Sequence, residues 1–220
     1  MIKKPTGSDD FKYKGNSLAH PFLQLAIVYV LCVILLGLAY LASVLLNIPI
    51  EHLTADPAMI SGAHPFLGFI SNIGVLLWAA AASVCLFTYL VLRYRYSSKK
   101  ALFLLWSGVI STILCLDDLF MLHETVFPWH FRIPEYMIYA GYILAVGGYV
   151  VFYAKRILQS EYLLFAGALL LLGLSMTGDQ LLPQEGIAYF IEDTLKLFGI
   201  GTWFLYFSRY SFQQFAELER

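Results

Sequence analysis

At 220 residues, 60% of them hydrophobic and only 13% charged, with a mean hydropathy of +0.71, the chain lacks the polar residues needed to cover a soluble globule. Its net charge of −1 offers no bulk electrostatic basis for binding nucleic acid. Its three cysteines, Cys32, Cys85 and Cys115, all fall inside apolar stretches, so a disulfide framework has no support.

Residues 1–20 are polar and of mixed charge, with no apolar period, and read as a cytoplasmic tail. Six apolar stretches follow, at about 22–46, 66–92, 101–123, 134–154, 161–179 and 187–208, each near the ~20 residues that cross about 30 Å of hydrocarbon. The first is retained as a span, because its run far exceeds the roughly 7 to 15 residues of a signal-peptide core. The reading is an all-α integral membrane protein, a bundle of six transmembrane helices over residues 21–210, with a second cytoplasmic tail at 211–220.

Orientation follows from the positive-inside rule. Lys3, Lys4, Lys12 and Lys14 precede the first span; Arg93, Arg95, Lys99 and Lys100 join the second to the third; Lys155 and Arg156 join the fourth to the fifth; Arg209 and Arg220 follow the sixth. The opposite loops hold one base, Arg132, so both termini are expected in the cytoplasm. Trp129, Tyr136 and Tyr189 then read as anchors at the outer interface, and Gly141, Ala145, Gly148 and Gly199 as small residues at helix contacts.

The costliest stretch is Cys115-Leu-Asp-Asp-Leu-Phe-Met-Leu-His-Glu124, where an apolar helix suddenly carries Asp117, Asp118, His123 and Glu124. Each ionisable group in a membrane helix costs roughly 2.5 to 3.5 kcal/mol on insertion scales, which marks a functional or a paired structural site. At 1.5 Å per residue Asp117 lies roughly 24 Å above the inner surface. Asp179 with Ser175 below it on the fifth span, Glu192 and Asp193 on the sixth, and Asn72 on the second reach a similar level, with Lys196 near the midplane. On one continuous helix Asp117 and Glu124 share a face while His123 points elsewhere.

This acidic excess calls for protonation or a bound cation. The expected ligands of a divalent metal cation are Asp117, Asp118, His123, Glu124, Asp179, Glu192 and Asp193, and the expected acid–base residues are Asp117, Asp118, His123 and Lys196. No His-Glu-x-x-His, Glu-x-x-His or Cys-x-x-Cys motif names the metal. Lys196 is expected to pair with Glu192, one turn away at i−4. Three functions fit: a metal-dependent membrane hydrolase acting on a lipid-like substrate, a cation or proton pathway with an acidic outer vestibule, and a non-catalytic membrane subunit or assembly factor.

Overall fold

A computed structural model describes residues 21–55, 57–93, 99–181 and 186–218, and these contain helices and no strand. The expected tail at 1–20 and residues Arg95, Glu185 and Arg220 lie outside that set, as does the side chain of Tyr189. The chain divides into two compact units, one ending at Leu67 and the other beginning at Gly68.

The first unit holds α1 (Pro21–Leu46) and the short α2 (Ile50–Thr54) and α3 (Pro57–Ser61). Asn47 adopts a left-handed φ of 52° at the end of α1, where Ser43 Oγ donates to the Ile48 carbonyl and helps close the turn. An asparagine tolerates that backbone better than most residues.

The second unit holds α4 (Phe69–Leu92), α5 (Lys99–Phe120), a π-helical segment (Leu122–Phe131), α6 (Glu135–Leu158), α7 (Tyr162–Leu181) and α8 (Gly186–Leu218). Five helices of the chain are long and apolar enough to cross a membrane: Leu25–Leu46, Phe69–Leu92, Lys100–Phe120, Glu135–Leu158 and Tyr162–Leu181. Helix α8 is not among them, since Glu192, Asp193 and Lys196 interrupt its first half. It also runs beyond the apolar stretch expected to end near residue 208, so residues 211–218 are helical.

Helix α4 packs along α5 and α8, and α7 along α8, around a core that is largely aromatic. Phe103 stacks on Tyr149 at 5.7 Å and meets Tyr153 and Tyr210 edge-on at 5.2 and 5.0 Å. Phe165 lies 5.5 Å from Trp203, which meets Phe207 at 5.0 Å. Two hydrogen bonds tie polar tips within this layer: Ser107 and Tyr149 share one of 2.6 Å, and Trp203 Nε1 donates to Ser111 Oγ at 3.0 Å. Hydrocarbon lipid offers little hydrophobic drive to association, so interdigitated rings and such hydrogen bonds carry the packing. At the same end of the unit Arg209 forks onto Glu161, and Lys100 pairs with Glu217.

Helix α6 differs from its neighbours. Its buried residues, Tyr149, Tyr153 and Ile157, all belong to its second half, while the first half stands off and meets mainly the π segment. A Cβ added at Gly141 or Gly148 would meet nothing within 4 Å, and Ala145 is exposed, so the small residues of this span are not the helix contacts that their spacing suggested. Gly199 is one: its added Cβ would lie 2.8 Å from Leu172 Cγ and 3.0 Å from the Leu172 backbone nitrogen. Gly199→Ala is therefore expected to cost about 1 to 3 kcal/mol by overpacking. Gly148→Ala should instead gain up to about 1 kcal/mol from helix propensity. Thermal unfolding in detergent compares the two, and equal midpoints would contradict the packing described.

Candidate functional site: a cavity with a paired acidic end

The sequence signal at 115–124 folds differently from one continuous helix. Helix α5 stops at Phe120, and Met121 takes a left-handed φ of 49°. A side chain in that region costs on the order of 1 kcal/mol, which the turn offsets locally. Asp117 Oδ1 accepts the backbone N–H of His123 at 3.0 Å, and Asp117 Oδ2 accepts from His123 Nδ1 at 2.5 Å. The carboxylate thus caps the next helical segment and orients its imidazole with the same two oxygens. The face assignment for a continuous helix is overturned: the break folds His123 back onto Asp117. The segment runs on as a π-helix through Pro128 and closes at Arg132, also left-handed at φ 55°. The π-helix is rare, and its short stretches are frequently found at functional sites.

His123 and Asp117 are 5% and 3% exposed. On the other side of the ring, His123 Nε2 lies 3.3 Å from Glu124 Oε1, whose side chain is half exposed. Both residues lie beyond the membrane-length stretch that ends at Phe120. Burial by itself would lower the imidazole pKa, but hydrogen bonds and charge from Asp117 and Glu124 outweigh it and raise it to about 10. The hydrogen bond from His123 holds Glu124 below its usual range. At neutral pH this is an imidazolium between two carboxylates.

A second cation sits alongside. Lys196 Nζ lies 2.8 Å from Asp118 Oδ1, and Trp78 Nε1 donates to Asp118 Oδ2 at 3.0 Å. The expected partnership of Lys196 with Glu192 is corrected: the ammonium makes its direct ion pair across helices, with α5, because α5 and α8 both pack against α4. On α7, Asp179 Oδ2 accepts from the Tyr139 hydroxyl at 2.8 Å and from Gln180 Nε2 at 3.0 Å.

These groups line one cavity of about 290 Å³. Its polar end carries Asp117, Asp118, His123, Glu124, Asp179, Glu192 and Lys196, with Tyr139 and Tyr142 from α6. Its other walls are apolar: Ile143 and Val146 on α6, Leu169, Leu172, Gly173 and Met176 on α7, and Leu114 on α5. Trp78 and Trp203, 5.8 Å apart and edge to face, also line it. Ile143 is 57% exposed although it lines the cavity, so the wall formed by α6 is open on its outer side. Ser175, one turn below Asp179, is 4% exposed and lines the cavity.

Of the expected ligand and acid–base residues, only Asp193 falls outside this cavity. It lines a small adjoining cleft with Asp118 and Lys196, so the Asp118–Lys196 pair divides the two spaces. Asn72 is exposed and lines neither. Trp78, Trp203, Tyr139 and Tyr142 escaped the sequence reading, which treats aromatics as packing; a tyrosine pair at i, i+3 level with the acids was the available signal. Among the described residues no group of three or more His, Cys, Asp or Glu side chains is arranged to hold a metal ion.

The chain is a helical protein whose five helices of membrane-crossing length are compatible with a multi-pass membrane protein, and its cavity is charged at one end and apolar along its walls. Residues 25–210 match the family described as "Domain of unknown function (DUF8692)", and the chain belongs to that family. No curated protein and no solved structure matches it.

Proposed function

We propose that the chain is a six-span membrane protein with both termini cytoplasmic, in which the cavity is an outer-leaflet catalytic site of hydrolase type for a lipid-like substrate. The observation that carries this reading is His123, oriented by the buried Asp117 and facing Glu124 at the charged end of a cavity whose other walls are apolar. The Lys and Arg asymmetry supports the orientation, with α8 as the sixth span.

The chemistry follows from the charge states. Glu124 accepts a proton from water as the water oxygen bonds to an ester or amide carbonyl carbon. The bond from that carbon to its leaving oxygen or nitrogen then breaks, and the leaving atom takes the proton of His123 Nε2. The proton on Glu124 passes back across 3.3 Å to His123, which restores both groups. Asp117 is a positioning residue, and Lys196, beside Asp118, adds positive potential where the carbonyl oxygen gains charge. A divalent cation, which would polarise the same carbonyl, has the five acids against two bases of the cavity lining in its favour and the absence of a converging ligand group among the described residues against it. Below the cavity Phe103, Phe165, Trp203 and Phe207, each at most 2% exposed, fill the bundle, which supports a site more than a conducting path.

The test uses proteoliposomes with fluorogenic ester- and amide-linked amphiphiles. Turnover by the wild type is expected to fall at least about 100-fold in His123→Gln and Asp117→Asn, with insertion unchanged. A chelator-sensitive rate would add the metal. Undiminished turnover in both variants, or none in the wild type, would sink the reading, and cation or proton flux through the same vesicles would replace it with a pathway.

A further inference from the structure

The structure also points to the kind of amphiphile, an inference that rests on the function proposed above: we infer that the cavity takes a molecule with a cationic ammonium head and a single apolar chain. Three observations converge. The titratable lining comprises five acids and two bases, and both bases already face a carboxylate, so an anionic head would enter against net negative charge. The acids come from α5, the π segment, α7 and α8, and no three of the described candidates converge as a metal ion held at about 2.0 to 2.6 Å needs. A diffuse cation demands no such convergence, and the lining includes Trp78, Trp203, Tyr139 and Tyr142, the residue types whose rings attract alkylammonium groups.

The remaining observations concern the chain and the polar contact. Ser175, 4% exposed, lines the cavity and offers its hydroxyl to a ligand's polar atom. Past it, Gly173 leaves the apolar wall open, because a Cβ there would meet nothing within 4 Å. With the wall at Ile143 open on its outer side, an alkyl chain can enter between α6 and α7.

Tryptophan quenching tests the inference directly, since Trp78 and Trp203 line the cavity while Trp106 and Trp129 are exposed and are replaced by phenylalanine in the background protein. In dodecyl maltoside micelles the probes are brominated sixteen-carbon chains ending in trimethylammonium, primary ammonium, hydroxyl or carboxylate. Saturable quenching by the two ammonium probes is expected at a mole fraction at least ten times lower than for the alcohol, and the carboxylate should be weakest. Gly173→Leu should remove saturable quenching by every probe, and Glu124→Gln should weaken only the ammonium probes.

Equal quenching by ammonium and alcohol, stronger quenching by carboxylate, or displacement of the ammonium probe by millimolar calcium or zinc would overturn the inference. Head-group preference is read in His123→Gln as well, so the two readings fail separately. Hydrolysis without ammonium preference removes this inference alone, and preference that survives in a protein with no turnover removes the catalytic reading alone.

Discussion

Lys196→Met is expected to destabilise the protein by about 3 kcal/mol, and adding Asp118→Asn should recover most of that loss. The two charges lie 2.8 Å apart with the Asp118 side chain 9% exposed, so deleting the ammonium strands a carboxylate away from water. Breaking a buried pair from one side costs about 3 to 5 kcal/mol, and the lower figure applies because Lys196 keeps 30% of its side chain accessible. Asparagine at 118 removes the stranded charge, and its amide oxygen still accepts the Trp78 Nε1 hydrogen now held at 3.0 Å. Thermal and denaturant unfolding in detergent provide the double-mutant cycle. If the losses from Lys196→Met and Asp118→Asn simply add, the ion pair is not the unit of stability described here. A matching recovery from Glu192→Gln would return the partnership to α8 itself.

That correction shows which part of the site was legible in the sequence. A common level along the bundle was legible, because rise per residue is a property of single helices. Asp117, Asp118, His123, Glu124, Asp179, Glu192 and Lys196 indeed line one cavity. Azimuth was not, because it requires each helix to continue unbroken and its neighbours to be known. Met121 has no glycine or proline beside it to announce a left-handed break, so the turn that brings His123 onto Asp117 left no local signal. Once that break is in place, the π segment carries His123 to the same carboxylate that caps it.

Helix contacts illustrate the same limit. Gly141, Ala145 and Gly148 have the spacing of a packing face, yet the first half of α6 stands away from the bundle, and the space it leaves adjoins the cavity wall at Ile143 and Val146. Gly199 lacks a second glycine at i±4 and nevertheless approaches the backbone of Leu172 closely. Small residues permit contact; the aromatic layer of Phe103, Tyr149, Phe165 and Trp203 decides where the helices actually meet.

Between pH 6.5 and 10 the protein is expected to lose stability steadily, and His123→Gln should remove most of that slope. The imidazole pKa stands raised to about 10 against an ordinary 6.5, so in this interval the folded state keeps a proton that the unfolded chain has released. Stability then falls by about 1.4 kcal/mol per pH unit; the contribution is complete below pH 6.5 and is lost as the pH rises through 10. The full interval would amount to about 5 kcal/mol, which half exposure of Glu124 and solvent screening reduce to an order of 3 kcal/mol. Glu124, held below its usual range, contributes in the opposite sense, losing its share as the pH falls through its depressed folded value. Asp117→Asn should lower and flatten the alkaline profile. An amide offers one acceptor where His123 now presents two donors, its backbone N–H and Nδ1–H, so one donor is left unmatched at a cost of about 1 to 3 kcal/mol. Midpoints measured at half-unit steps, as wild type minus His123→Gln, isolate this group from every other titration. A difference profile that stays level from pH 6.5 to 10 would mean that His123 is neutral in the folded protein. It would then have no proton to give a leaving group in the proposed hydrolysis, whose alkaline limb, expected to hold until pH approaches 10, would break near 6.5 instead.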